Sequence, residues 1–337
     1  MPRLLRWRVA CDRCGNSAVT LLRYSGAHLC RDHFQEYVER RVKREVRRQL
    51  RLRPNQTKIA VGLSGGKDSS TALVLLHRYL GNRRDVALEA ITVDEGIDGY
   101  RPPSIEISRA LCAGLGVKHH VVSYCDLIGF GMDRVVRLDP EAIPCSYCGV
   151  FRRHALNKMA VEIGADYLAT GLNLDDTAES ILMNVARGDV GRLARLGPHE
   201  HVQPGLVPRL QPLRMIPELE VYLYAFLKGL RFHDANCPYA ERAQRGRFKE
   251  ILHRLEEESP GTRHAIVSGY DELRTVLQAA WPAATLNACA HCGEPTVHEI
   301  CKACDLKERL RTLAGGLEDA SIAVVSSGKT TPAAPDA

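Results

Sequence analysis

The chain has 337 residues, 45% hydrophobic and 26% charged, with a formal net charge of +6, a balance typical of soluble globular proteins. No apolar run approaches the ~20 residues of a membrane-spanning helix, and residues 1–8 are basic without an apolar stretch of signal-peptide length. Membrane insertion and secretion are therefore not expected, a cytoplasmic location is, and the positive charge permits a polyanionic partner without demanding one.

Of the 12 cysteines, ten fall into three spaced groups and only Cys112 and Cys125 stand apart. In a cytoplasmic chain such grouping points to metal or redox chemistry rather than disulfides. The first group is Cys11-x-x-Cys14 followed by Cys30-x-x-His33. Two such knuckles suit a closed, tetrahedral zinc site with four protein ligands, which is structural rather than catalytic. His28 is a competing nitrogen ligand. This N-terminal finger is expected over residues 1–36, and a basic linker helix over 37–54. The helical pattern itself runs from Gln35 to Leu52, with Val38, Val42, Val46 and Leu50 as a packing stripe. The remaining faces are rich in arginine, including Arg44, Arg47 and Arg48, so the helix reads either as a nucleic-acid contact or as a solvated face. Pro54 ends it.

From residue 55 strands and helices alternate. Strands are expected at Lys58–Leu63, Ala87–Val93, His119–Ser123 and Tyr167–Thr170. Helices are expected at Ser70–Leu80, Pro103–Gly114, Phe151–Ile163 and Asp176–Ala186. This implies an α/β domain with a parallel sheet, whose ligands bind beyond the carboxyl ends of the strands. After the first strand comes Ser64-Gly65-Gly66-Lys67-Asp68-Ser69. Two glycines let the backbone approach an oxyanion, the N–H groups of the turn and helix start point at it, and Lys67 adds charge. The spacing is not that of a Walker A loop, which has four residues between its first glycine and Gly-Lys. After the second strand comes Asp94, either near a nucleotide or in a turn. After the fourth come Gly171, Asp175 and Asp176, where either aspartate could also cap the following helix.

The third cysteine group, Cys145-x-x-Cys148, lies inside this domain, and Cys237 follows about ninety residues later. Three thiolates from two loops could hold an iron–sulfur cluster with one open iron or a zinc ion; a redox pair and inert cysteines also fit. Residues 188–217 lack periodicity and read as a loop. Helices are expected at Pro217–Leu230 and Arg242–Glu257. The α/β domain is expected to end near residue 280. A four-thiolate zinc ribbon, Cys289-x-x-Cys292 and Cys301-x-x-Cys304, occupies 281–312. A flexible tail is expected over 313–337, with Ser326–Ala337 disordered.

Together these motifs resemble the TtuA-type tRNA 2-thiouridine synthetases and their wobble-uridine relatives, within the PP-loop ATP pyrophosphatase superfamily. The resemblance runs from Cys11 to Cys304 and includes Asp94-Glu95-Gly96-Ile97 and Cys237-Pro238-Tyr239. It implies a PP-loop domain flanked by two zinc modules. It further implies that ATP with Mg²⁺ adenylates the C2 oxygen of a tRNA uridine, which sulfur then replaces. Leu63, Ser64, Gly65, Gly66, Lys67, Asp68, Ser69, Asp94, Gly171 and Asp176 would form the ATP site. Lys67, Asp176, Cys145 and Cys148 would be catalytic. Cys145, Cys148 and Cys237 would hold a 4Fe–4S cluster, and sulfur would come from a ubiquitin-like thiocarboxylate carrier or from sulfide. A homodimer and a thymidine-loop target, favoured over the anticodon wobble uridine, are also implied. Two positions depart from the family: Leu172 where histidine is common, and Arg152 where some members have lysine. Another PP-loop adenylation of tRNA, or a non-catalytic tRNA-binding zinc adaptor, are the competing readings. Replacing Arg44, Arg47 and Arg48 together by Ala is expected to weaken tRNA binding and reduce its salt slope by roughly one per lost phosphate contact. Unchanged affinity across a salt series would exclude that role for the helix.

Overall fold

The computed structural model describes residues 9–199, 202–240 and 245–326. A hairpin of β1 (Thr20–Leu22) and β2 (Ala27–Leu29) leads into the helix α1 (Arg31–Gln49). The body follows as β3 (Thr57–Gly62), α2 (Lys67–Leu80), β4 (Val86–Asp94), α3 (Arg101–Leu115), β5 (Lys118–Ser123), α4 (Tyr124–Ile128), α5 (Met132–Leu138) and α6 (Pro144–Glu162). It continues with β6 (Tyr167–Ala169), α7 (Leu174–Ala186), α8 (Val190–Ala194), β7 (Arg209–Leu210), α9 (Glu218–Leu227), α10 (Arg245–Glu258) and α11 (Thr262–Ala280). A second hairpin, β8 (Asn287–Ala288) with β9 (Pro295–Thr296), precedes α12 (Lys302–Ser326).

The expected parallel α/β sheet is present, in the order β5-β4-β3-β6-β7, with every pairing parallel. The chain builds outward from β3 to β5, then returns to the other side of β3 with β6. That reversal places a crevice beyond the ends of β3 and β6. Central β3 is covered on both faces, as parallel strands require. Ile59 and Val61 pack with Leu73, Leu76 and Leu80 of α2, whereas Ala60 meets Ile91, Ala160 and Leu168 on the opposite face.

The valine stripe of α1 is buried together with Phe34, and it shares one apolar core with Leu22 and Leu29 of the finger and with α2. The finger and α1 are thus built onto the body rather than strung from it. Three helices start three or more residues earlier than periodicity suggests, because their first turns carry polar or cysteine residues that dilute the pattern. α1 starts at Arg31, inside the second knuckle of the finger, α2 at Lys67, and α6 at Pro144, where a proline suits the first turn.

Sequence periodicity misses α4, α5, α8, β7 and α11. β7 is only two residues long and lies in the stretch read as a loop. The pattern of α11 is blurred because Leu273 and Val276 are exposed although they continue the three-residue spacing of buried Val267 and Tyr270. Buried Arg214 anchors this helix through a bidentate pair with Asp271, at 2.7 and 2.6 Å. Helix α12 continues to Ser326, past the point where its apolar pattern fades. The disorder expected of the last residues, and the start of the helix expected at Arg242, lie outside the described residues.

Candidate functional site

The phosphate loop leaves β3 and enters α2 with Gly66 at the N-cap and no side chain capping the helix, so N–H groups of its first turn remain available to an anion. The loop braces itself. The Ser64 N–H donates to Ser69 Oγ at 3.0 Å, the two serine hydroxyls lie 3.0 Å apart, and the Gly66 N–H reaches Ser64 Oγ at 3.3 Å. Gly65 has φ +79°, and a β-carbon there would strike the Ser104 carbonyl. Lys67 is held between Asp68 at 3.0 Å and Glu218 at 2.9 Å. Burial works to lower its pKa, but the two carboxylates outweigh it and hold the ammonium above its ordinary value. Glu218, at the start of α9, is a site residue that no motif marked.

The loop after β6 leans on the same helix start. A β-carbon on Gly171 would lie 2.7 Å from the Ser69 nitrogen. Asn173 caps α7 in a reciprocal box with Asp176, accepting from its N–H at 3.0 Å and donating its own N–H to Asp176 Oδ2 at 3.2 Å. The Asn173 side chain also donates to Asp68 at 3.1 Å. Asp176 therefore does cap its helix, but it also faces the site. Burial pushes its carboxyl up to about 6, Arg245 opposes this, and Asp68 and Glu179 add to it. Arg245 approaches Asp176 at 3.2 Å. Asp175 points elsewhere, to Arg263 at 3.1 Å and the Glu218 N–H at 2.8 Å. Asp94 makes a turn, accepting from the Gly96 N–H at 2.9 Å. The Leu63 side chain is in the core, and its N–H and carbonyl are taken by Ile91 and Thr92. Leu172 is exposed beside Gly171.

Cys145 and Cys148 lie in the first turn of α6, and Cys237 joins Cys148 and Tyr239 in an apolar cluster. Burial pushes both the Cys145 and Cys148 thiols up. Cys237 adds to the rise at Cys145, whereas Arg152 opposes it at Cys148. Arg152 donates to Cys148 Sγ at 3.1 Å and to Glu95 at 3.0 Å.

Among the described residues, two groups bring their ligand atoms within 4.8 Å of one another: Cys11, Cys14, Cys30 with His33, and Cys289, Cys292, Cys301 with Cys304. Such spacing fits one tetrahedral ion, whose thiolates stand about 3.8 Å apart. Sulfur–sulfur distances of 3.7 Å in the first group and 3.6 Å in the second agree. The competing His28 turns to Asp12. In each group burial works to raise one thiol, Cys11 or Cys289, but backbone N–H donors win and bring it down to about 6. Cys145, Cys148 and Cys237 do not form so tight a group, which suits a multi-iron cluster, where each thiolate binds a different metal.

The exposed Arg44, Arg47 and Arg48 stand apart from this edge. Arg47 donates to the Tyr79 hydroxyl at 3.1 Å, and Tyr79 is twelve residues beyond Lys67 on α2, roughly 18 Å away. A second basic group, unmarked by any motif, flanks α6. Burial and the neighbouring Arg153 hold Arg209 down to about 10, with Glu294 opposing, and burial with Arg192 and Arg152 lowers Arg153.

A family profile described as a PP-loop domain matches residues 35–255, and one described as the N-terminal LIM domain of the 2-thiouridine synthetase TtuA matches residues 11–35. The chain is 42% identical to the tRNA 2-thiolation protein NcsA of Haloferax volcanii, over 90% of this chain and 99% of that one. It is 34% identical to the tRNA-5-methyluridine(54) 2-sulfurtransferase of Pyrococcus horikoshii, over 87% of this chain and 92% of the relative. A solved structure, the U34-tRNA thiolase NcsA from Methanococcus maripaludis with its [4Fe-4S] cluster, superposes with a TM-score of 0.77 at 35% identity, covering 89% of this chain and 96% of that one. Because Gly171 has no room for a side chain, Gly171→Ala is expected to shift the start of α2, lower the melting temperature and weaken nucleotide binding by about tenfold or more. Calorimetric titration checks this.

Proposed function

Because the chain belongs to the PP-loop family of tRNA 2-thiolation proteins, we propose that it uses ATP to adenylate the C2 oxygen of a tRNA uridine and replaces that oxygen with sulfur. The observation that carries this reading is a single sheet edge holding both a phosphate loop and three thiols. A uridine carbonyl is a poor electrophile and oxide a poor leaving group. Attack by that oxygen on the α-phosphate expels pyrophosphate, and the adenylate then leaves as AMP when sulfur adds to C2. The loop N–H groups hold the phosphates, and Lys67 offsets charge developing on them after exchanging a carboxylate partner for phosphate. Asp176 accepts a proton or orients Mg²⁺ at the phosphates.

Cys145, Cys148 and Cys237 fit a 4Fe–4S cluster: three thiols from two chain segments, with Cys148 and Cys237 packed against an apolar cluster and Cys145 exposed. Bound there, the cluster would supply an open iron position for sulfur from a thiocarboxylate carrier or sulfide. The two tight four-ligand groups fit structural zinc. Arg153, Arg192 and Arg209 provide a cationic rim for RNA phosphates beside α6, while Arg44, Arg47 and Arg48 would hold the tRNA body farther away. The two-finger sequence architecture favours the thymidine-loop uridine. The solved homologue named for U34 favours the wobble uridine as a second reading. A homodimer in the cytoplasm completes the proposal.

Iron-loaded protein is expected to convert uridine to 2-thiouridine in tRNA, read by position-mapped nucleoside mass spectrometry, and Cys145→Ser is expected to lose iron and thiolation together. Undiminished thiolation by that variant would sink the cluster reading, and the mapped position separates the two target uridines. The carboxylate is the working form of Asp176, so kcat/KM is expected to rise with pH through about 6, the value of this carboxyl in the free protein. Asp176→Asn should abolish that limb and lower the rate about 10²-fold or more; a limb that persists in the variant belongs to another group.

A further inference from the structure

Glu95 is a carboxylate with 3% side-chain exposure, enclosed by two guanidiniums. Arg101 Nε meets its Oε2 at 2.5 Å, and Arg152 donates to its Oε1 at 3.0 Å. Each arginine also reaches one half of the site. Arg101 donates to the Ser64 carbonyl, the first of the phosphate loop, at 2.9 Å, and to the Val93 carbonyl at the end of β4 at 2.8 Å. Arg152 donates to Cys148 Sγ at 3.1 Å. The Arg101–Glu95 ion-pair contact, with hydrogen bonds on either side of it, thus joins the phosphate loop to the start of α6. A separate tie serves the third cysteine: the His233 N–H donates to the Gly65 carbonyl at 2.8 Å, four residues before Cys237.

We infer that Glu95 is a positioning residue that couples nucleotide binding in the phosphate loop to the placement of Cys148. This rests on the reading of that loop as the ATP site. Glu95 accepts a hydrogen bond from Arg152 and holds Arg101 by an ion-pair contact, so one carboxylate ties the two guanidiniums together. A phosphate entering the loop draws on the N–H groups of the peptides whose carbonyls Arg101 and His233 hold, so a shift of Ser64 reaches Arg101 through a hydrogen bond, Glu95 through the ion-pair contact, and Cys148 through Arg152. Simple fold stabilisation is the weaker account. A buried ion pair is poor support for stability, and Arg152 reaches past Glu95 to the sulfur from a side chain that is 52% exposed.

Hydrogen exchange on the zinc-loaded full chain lacking the iron–sulfur cluster, with and without a non-hydrolysable ATP analogue and magnesium, tests this independently of the cluster. In the wild-type protein the analogue is expected to slow exchange at 63–69, at 145–152 and at 233–239, each by about threefold or more. Glu95→Gln and Arg152→Met should abolish the response at 145–152 and leave those at 63–69 and 233–239, because the His233 tie is untouched. Arg152→Met keeps the Glu95–Arg101 pair, so it decides the matter if Glu95→Gln fails to fold. A response at 145–152 that survives in the variants, or is missing in the wild type while 63–69 responds, overturns the coupling. Slowing at 63–69 is the separate check on the ATP reading. Iron content after reconstitution, expected to match the wild type in Arg152→Met, separately reports the cysteine site.

Discussion

The close approach of two loops at the ends of β3 and β6 is the constraint on which the site depends. Gly171 lies against the backbone of Asp68 and Ser69 with no space for a β-carbon. That contact sets Asn173 within reach of Asp68 and brings Asp176 to face the phosphate loop. A parallel sheet that reverses direction at β3 opens the crevice; the glycine lets its two walls meet at the right separation.

Charge is distributed around this crevice with unequal exposure. Lys67 is paired with both Asp68 and Glu218, and Glu218 also meets Lys249 at 2.7 Å. An entering phosphate therefore exchanges carboxylate partners for phosphate oxygens rather than meeting a bare ammonium. Asp176 is the opposite case, a carboxyl raised by burial toward the neutral range, where proton exchange is easy at physiological pH. The cysteine segments pack on a less polar surface: Cys148 and Cys237 are partly buried against a cluster that includes Tyr124, Tyr147 and Phe151, while Cys145 is exposed.

The peripheral modules are built into this arrangement. The finger shares its core with α1 and α2, and Tyr24 of its hairpin bonds Glu220 of α9 at 2.6 Å. At the other end Glu294, beside the C-terminal cysteine group, meets Asn157 at 3.1 Å and His154 at 3.4 Å, both on the helix that begins with Cys145 and Cys148. Each of the two tight cysteine groups is thereby fastened to an element of the crevice.

Local chemistry was readable from the chain alone. Cysteine spacing picked out the two groups that fold into tight four-residue sets, glycine with lysine and serine picked out the phosphate loop, and strand alternation the parallel sheet, because each depends on neighbours within a few positions. Contacts between distant segments were not readable. Glu218 carries no motif, and although Glu95 lies in the Asp94-Glu95-Gly96-Ile97 motif, a carboxylate in a sequence does not reveal that two guanidiniums will enclose it. Nor could periodicity find β7, two residues long, or α11, whose exposed leucine and valine mask its buried face. Asp175 and Asp176 are chemically equivalent neighbours in the sequence; the turn of α7 directs one to Arg263 and the other to the crevice. Folding decided these points because burial and close approach, not residue type, determine which groups share a dielectric and a hydrogen bond.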